Sequence, residues 1–137
     1  MKTYEMKLDL DSIQLNTNST NAIIRELAAR AMATKTICNR KDEKWHTSIY
    51  KTNHGWHVYI TAYTHHKPPT SKSIVVMQMM MMSDPFREIL NIARINKHIS
   101  NWNELFTSKY ELKTHWWSHN RYLKKVSHEK ICKQTWL

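Results

Sequence analysis

Two aspartates, Asp9 and Asp11, stand two residues apart at the end of an alternating run that begins at Tyr4. Side chains two apart on a strand point to the same face and lie roughly 6.5 to 7 Å from each other. Carboxylates at that spacing can share a divalent cation. The alternative interpretation is that a half-buried strand simply shows its charged side chains to water. The spacing alone leaves both interpretations open.

A second row of polar and aromatic side chains occurs between residues 57 and 63. Because side chains on a strand alternate between its two faces, Val58, Ile60 and Ala62 are predicted to face the core. The other face then carries an imidazole, two phenols and a hydroxyl, from His57, Tyr59, Tyr63 and Thr61. Such a row is typical of a surface that holds nucleotides.

The only glycine of the chain, Gly55, follows Asn53 and His54 between two runs rich in β-branched and aromatic residues. This is the composition of a hairpin turn, and we expect a positive φ at the glycine. The sequence therefore predicts a hairpin with strands from Trp45 to Lys51 and from His57 to Tyr63.

The switch between two-residue and 3.6-residue hydrophobic periods predicts an α+β domain. A first strand is expected from Met6 to Leu10, and a helix from Asn21 to Thr34. The apolar run from Ile74 to Met82 favours a helix packed under the sheet. The runs from Ile89 to Ile95 and from Asn103 to Ser108 are interpreted as the next two strands, although the first could also be a helix.

The chain is strongly basic, with 21 Lys and Arg against 11 Asp and Glu and a formal net charge of +10. Such a charge attracts polyanions, and we expect DNA or RNA as the partner. The two cysteines, Cys38 and Cys132, lie far apart, and no apolar amino-terminal segment precedes them, so a secreted disulfide scaffold is not expected. No apolar run is long enough to cross a bilayer. The expected location is the cytoplasm, or the interior of a virus-infected cell, away from membranes.

The tail after Tyr110 mixes basic and aromatic residues. This mixture suits a surface that follows a nucleic-acid backbone and stacks its bases, while tryptophans also commonly dock a terminal segment on a core. We divide the chain into a domain at residues 1–110 and a basic, tryptophan-rich extension at 111–137, packed on the domain or flanking it. The aromatic residues of the tail are Trp116, Trp117, Tyr122 and Trp136.

The order of these features resembles the catalytic core of archaeo-eukaryotic primases and primase-polymerases. Their first motif is a hydrophobic strand with two aspartates, matched by Asp9 and Asp11, and their second places a histidine on a strand after a small-residue turn, matched by His57. The segments 83–87 and 105–109, with Asn91 and Arg94, are similar to small primase-like proteins of archaeal viruses and plasmids. The resemblance spans residues 4 to 110. The family's third aspartate, on a later strand, aligns with Asn91, which is an amide.

The resemblance implies a single RRM-like or primase-like sheet backed by helices. It also implies that Asp9 and Asp11 hold Mg²⁺ or Mn²⁺ and that His57 donates to the phosphate of a nucleotide, as in a metal-dependent nucleotidyltransferase of viral or plasmid replication. If the amide at 91 leaves the site incomplete, the chain binds nucleic acid without catalysis. The residues expected to contact nucleic acid are Lys51, His54, Tyr59, Tyr63, Arg87, Arg94, Lys109, Arg121, Lys124 and Lys125.

Other classes stay open. A rolling-circle replication nuclease needs a nucleophilic tyrosine on a helix with lysine nearby, as Tyr110 or Tyr122 could supply, but Tyr59 stands where its second metal-binding histidine belongs. A zinc-stapled binding module, or a particle-assembly protein, is the other alternative. The zinc ligands would be spaced four apart on helices, and the candidates are His115, His119, His128 and Cys132.

Overall fold

The structure, a computed structural model, describes residues 1–105, 108–114, 121–127 and 130–137, the strands at 108–114 and 121–127 by their backbone alone. It is an α+β fold with three helices among these residues. None of the described helices is both long and apolar enough to span a bilayer. The elements in chain order are β1 (Lys2–Asp11), α1 (Thr20–Ile37), β2 (Lys44–Lys51), β3 (Gly55–Thr64), α2 (Ser71–Met80), α3 (Pro85–Asn96), β4 (Ser108–Thr114), β5 (Arg121–Ser127) and β6 (Lys130–Trp136).

Four strands form one antiparallel sheet in the order β1-β3-β2-β6, and β4 pairs with β5 in a separate two-stranded sheet. The predicted first strand and the predicted hairpin are confirmed as β1, β2 and β3. Helix α1 connects β1 to β2, which lie on either side of β3, so these elements form a split β-α-β unit. Strand β6, from the predicted extension, pairs with β2 and supplies an edge of the main sheet.

Helices α1 and α2 cover one face of the sheet, as the alternation predicted. Every second residue of β1 and β3 is buried there, against apolar side chains of α1 and α2. The predicted helix in 74–82 is confirmed as α2, although it begins earlier, at Ser71. The strand residues of this core are Tyr4, Met6, Leu8 and Leu10 in β1 and Trp56, Val58, Ile60 and Ala62 in β3.

The segment from Ile89 to Ile95 is helical, so its interpretation as a strand was wrong and the alternative, a helix, is confirmed. The residues before it explain this outcome. The Asp84 side chain accepts a hydrogen bond from the Phe86 amide at the start of α3, and Pro85 occupies the first turn, both of which favour helix initiation. The run predicted as a strand from Asn103 contains no strand up to Leu105, and β4 begins at Ser108.

The predicted positive φ at Gly55 is also wrong, because Gly55 has no positive φ. The glycine is needed for a different reason. It pairs with Asp11 of β1, and a Cβ atom added to it would lie 1.8 Å from the carbonyl oxygen of Leu10. The glycine thus permits close approach of the hairpin to the end of β1.

The outer edge of β1 is closed by side chains instead of another strand. The Lys7 amide donates to Gln78 Oε1 at 2.9 Å, and the Lys7 carbonyl accepts from Arg87 at 2.9 Å. The Asp9 amide donates to Ser83 Oγ at 3.0 Å. An unpaired edge is a template for unwanted strand pairing, and these bonds occupy its donors and acceptors.

Candidate nucleic-acid interface and the Asp9–His57 pair

The face of the sheet opposite α1 and α2, here the second face, carries five of the thirteen predicted site residues. The residues that point to this face are identified by the alternation along each strand and by the pairing between strands. They fall into an acidic end, near the start of β3, and an aromatic end, near its close. The second face consists of Glu5, Lys7, Asp9 and Asp11 in β1, Lys44, His46, Ser48 and Tyr50 in β2, His57, Tyr59, Thr61 and Tyr63 in β3, and Gln134 and Trp136 in β6.

Asp9 and His57 are direct cross-strand partners, and His57 Nε2 lies 3.7 Å from Asp9 Oδ1. His57 is buried, whereas the Asp9 side chain is about 38% exposed. Burial raises the pKa of the Asp9 carboxyl, while the nearby His57 and Arg87 act in the opposite direction. The fold therefore brings two of the predicted site residues, Asp9 and His57, together on one face.

Asp11 lies on the same face, but its side chain stabilises the turn that follows β1. Its Oδ1 accepts hydrogen bonds from the amides of Ile13 at 2.8 Å and Gln14 at 3.1 Å. This is an Asx-type turn, in which the carboxylate replaces a backbone acceptor. One oxygen of the second predicted metal ligand is thus already engaged.

A third carboxylate, Asp84, comes close to this end of the sheet. Its amide donates to the Asp9 carbonyl at 2.7 Å, and its charge adds to the increase in the Asp9 pKa. Its Oδ1 is held by the Phe86 amide at 3.0 Å as the cap of α3. Within residues 1–105 and 130–137, no three His, Cys, Asp or Glu side chains are grouped as metal ligands. Among these residues, Asp9 and Asp11 therefore have no third His, Cys, Asp or Glu side chain grouped with them for the implied Mg²⁺ or Mn²⁺.

Asn91 does not lie on a strand beside the aspartates, as its alignment with the family's third motif required. It is fully buried in α3, where its amide donates to Glu88 Oε2 and to Asn103 Oδ1, both at 3.3 Å. It thereby joins the hydrogen-bonded side chains of Gln78, Glu88 and Asn103 beside the β1 edge.

At the other end of the second face, three rings from three strands form a group that we name the aromatic cluster: His46, Tyr63 and Trp136. The Trp136 ring packs edge-on against His46 at a centroid distance of 5.0 Å and lies 5.9 Å from Tyr63 at a tilt of 45°. Trp136 is nevertheless 60% exposed. The cluster exists only because β6 joins the sheet beside β2.

The two ends are joined by a pair of tyrosines. Tyr50 and Tyr59 pack edge to face at 5.4 Å. From His57 to Tyr63 the distance along β3 is about 20 Å, at 3.3 Å per residue. The second face is therefore an extended surface, and the predicted residues Asp9, His57, Tyr59 and Tyr63 all lie on it.

Lysines flank the aromatic cluster. Lys44 is exposed and is the cross-strand partner of Tyr63. Lys35 and Lys41 line a groove of about 610 Å³ together with Trp136, a volume in the range of small-ligand sites. Burial lowers the pKa of Lys35, whose amine donates to the Leu137 carbonyl at 2.9 Å.

Arg87 is not available for nucleic acid, and its predicted role is corrected. Its guanidinium is buried and donates to Lys7, to Glu88 at 2.6 Å and to Asn103 at 2.8 Å. Arginine suits this place because its planar fork satisfies several acceptors at once.

The remaining predicted contact residues are dispersed. Lys51 rests on the Trp56 ring, with its amine 4.1 Å from the centroid, and His54 is exposed in the hairpin turn. Arg94 lies on α3, where it approaches Asn91 at 3.4 Å. Lys109 lies on β4, and three others lie on β5, but their side chains fall outside the described residues. Those three are Arg121, Lys124 and Lys125.

Two of the alternatives also involve the tail. Tyr110 and Tyr122 both lie on strands, where a rolling-circle nuclease would have its tyrosine on a helix. Of the zinc candidates, Cys132 is exposed on β6. The others, His115, His119 and His128, lie outside the described residues.

Comparisons with known proteins provide no relative: no protein-family model, no curated protein and no solved structure matches the chain. The functional assignment consequently depends on the residues and their geometry.

Sequence reasoning missed two second-face residues, His46 and Tyr50, and it named Trp136 as a stacking candidate of the tail without placing it on the sheet. The signal for the first two was present, because Trp45, Thr47 and Ile49 alternate with them and are buried. Trp136 carried no such signal, since its position depends on which strand β6 joins.

Proposed function

We propose that this protein binds single-stranded nucleic acid across the second face of its sheet, with the aromatic cluster as its stacking platform. The observation that carries the proposal is Trp136, a large aromatic ring that is 60% exposed yet held against Tyr63 and His46. An exposed ring fixed by its neighbours presents a flat surface on which any base can stack.

The geometry favours stacking for an entropic reason. Two neighbouring rings already restrict the Trp136 side chain, so less conformational freedom is lost when a base binds. Stacking on an aromatic side chain contributes about 1 to 3 kcal/mol per base. Tyr59 and Tyr50 extend the aromatic surface toward Asp9, so several nucleotides can lie along it.

Charge supports the same proposal. The net charge of +10 attracts a phosphate backbone, and Lys41 and Lys44 stand beside the cluster to contact it. Antiparallel sheets with helices on one face and aromatics on the other are the binding surface of RRM-type RNA-binding domains. We therefore also propose that the α+β fold is of the RRM-like or primase-like type.

A salt series with labelled oligonucleotides tests this function. Single-stranded DNA and RNA and a duplex of equal length are titrated with the full chain, and anisotropy is measured. We expect the single strands to bind at least about tenfold more tightly than the duplex, with a log–log salt slope of about −0.7 for each phosphate contacted. Absence of binding at low salt, or equal affinity for duplex, would refute the proposal.

Nucleotidyl transfer is the second candidate, in the replication of a virus or plasmid. The observation in its favour is the cross-strand pair of Asp9 and His57, 3.7 Å apart, two residues that carry the resemblance to the primase motifs. A primer-extension assay with Mg²⁺ and with Mn²⁺ tests it. Incorporation by the native chain that is lost in Asp9→Asn, with single-strand affinity retained, would support transfer, and no incorporation with either metal would exclude it.

A further inference from the structure

Helix α3 buries its polar side and exposes its apolar side. The side that faces the protein is polar, with Arg87, Glu88 and Asn91 all buried. The side that faces outward is apolar over two helical turns, and we name it the α3 face: Phe86, Ile89, Leu90, Ile92 and Ala93. Phe86 is 70% exposed, Ile89 58% and Leu90 54%. An amphipathic helix normally does the opposite and buries its apolar stripe.

The helix is fixed in this orientation. Arg87 bonds the Lys7 carbonyl at 2.9 Å, and Glu88 accepts from Ser83 Oγ at 2.9 Å and from Gln78 at 2.8 Å. Rotating α3 to bury its apolar side would leave this charged network unsatisfied, at a cost of several kcal/mol. The α3 face is therefore held outward, available to a partner.

We propose that the α3 face is a homodimer interface, in which α3 packs antiparallel on α3 of a second copy. The two-fold axis of the dimer would pass near Ile89 and Leu90. Such an interface is isologous, so one apolar patch meets its own equivalent. None of the five residues of the α3 face is charged.

The charges at the ends of the helix favour antiparallel over parallel packing of the two copies. Asp84 stands at the start of α3, and Arg94 and Lys97 stand at its end. Antiparallel packing about an axis near residues 89 and 90 places the start of α3 in one copy near the end of α3 in the other, twice. The helix dipoles are then also antiparallel, each negative end near the partner's positive end.

The available area agrees with a weak dimer. The exposures of the α3 face correspond to roughly 500 Å² of apolar side chain per copy, at the upper end for a single surface patch. Two copies would bury about 1,000 Å², near the lower limit for a specific interface. Met79 of α2 is exposed as well and lines one groove with Pro85 at the start of α3, so it extends the apolar surface.

Sedimentation equilibrium of the full chain tests the interface. We expect a monomer–dimer equilibrium with a dissociation constant of about 10 to 100 μM. Leu90→Lys should weaken it at least tenfold. The matched control is Ile13→Lys, since Ile13 is 84% exposed but lies outside the α3 face, and it should leave the equilibrium unchanged. Circular dichroism checks that both variants are folded.

Cross-linking gives a second readout that does not depend on weakening the dimer. In a background with Cys38→Ser and Cys132→Ser, Leu90→Cys near the axis should oxidise to a covalent dimer faster than Ile13→Cys. A native chain that stays monomeric above 100 μM, equal oxidation at the two positions, or an unchanged dimer in Leu90→Lys would overturn the proposal. Monomers that instead bind anionic vesicles through Leu90 would assign the face to a membrane surface and overturn it too.

Discussion

Gly55 lies so close to the end of β1 that any side chain would collide with the backbone. A Cβ atom there would be 1.8 Å from the Leu10 carbonyl oxygen and 3.1 Å from the Asp11 Cα atom. The neighbouring contact, from the Ser12 amide to the His54 carbonyl at 2.9 Å, ties the turn to the same place. The glycine thereby fixes the register that sets Asp9 opposite His57.

We predict that Gly55→Ala destabilises the fold by about 3 kcal/mol, at or above the usual range for overpacking, because the clash is with backbone and not with a movable side chain. Urea denaturation measures the change. Asn53→Ala, in the exposed part of the same turn, serves as the control and should stay within about 0.5 kcal/mol. Equal stability of Gly55→Ala and the native chain would contradict the close approach.

Asp9 is held in an environment that opposes its charge. Burial raises its pKa, so ionisation is less favourable in the folded chain than in the unfolded chain, and the free energy of unfolding falls as Asp9 ionises. A residue that destabilises its own fold is typical of a functional position.

Asp9→Asn should therefore be more stable than the native chain at pH 7. The difference in the free energy of unfolding between the variant and the native chain should disappear below the unfolded pKa of about 3.9, where both states bind the proton. It should grow as the pH rises above that value. Denaturation at several pH values measures it. Asp42 is the control, because its hydrogen bond with His66 lowers its pKa, so Asp42→Asn should show no gain. A gap that narrows as the pH rises would contradict the raised Asp9 pKa.

The three helices in the described residues end in the same way. After α1, α2 and α3, the chain turns through a residue of positive φ: Asn39, Met82 and His98, with φ values of 56°, 72° and 58°. Two backbone bonds close each turn, as in α3, where the His98 amide donates to Ile95 and the Ile99 amide to Arg94. This is the Schellman motif, which usually has glycine at that place.

Replacing His98 by glycine should stabilise the protein by about 1 kcal/mol, because a non-glycine residue in the left-handed region is strained by about that amount. Thermal and urea denaturation measure the gain. The adjacent Lys97 has φ of −90°, so Lys97→Gly should instead lose about 0.5 to 1 kcal/mol. If both substitutions shifted stability in the same direction, the end of α3 would be wrongly assigned.

These helix ends show which part of the fold was open to sequence reasoning. The strands β1, β2 and β3 were predictable because alternation is a local property, and the register of a tight hairpin follows from it. The helix ends carried no glycine signal. Helix α3 also lacked an interpretable pattern, since its apolar stripe faces outward and its buried side is polar.

The candidate site was predictable to the same extent. Asp9 and His57 were placed on one face by alternation within two local strands, and the fold brings them together. Arg87 was misassigned because nothing local distinguishes a buried arginine from a solvated one. Trp136 depends on pairing between residues 46 and 136, a contact across most of the chain.

At the scale of the whole molecule, two surfaces have separate assignments. The second face of the sheet carries the aromatic cluster and the Asp9–His57 pair, and the α3 face lies on a helix beyond the β1 edge. In the proposed function, the net charge of +10 attracts polyanions to the molecule, and the exposed ring of Trp136 stacks on the bases.

The most direct test of the central claim is the affinity of Trp136 variants for a single-stranded oligonucleotide at fixed salt. Trp136→Ala should weaken binding by about 1 to 3 kcal/mol, roughly 5- to 150-fold, with the salt slope unchanged because no phosphate contact is removed. Trp136→Phe should restore most of the affinity, and Ile13→Ala, exposed outside the second face, should have no effect. If Trp136→Ala bound as tightly as the native chain, the sheet face would not be the nucleic-acid interface.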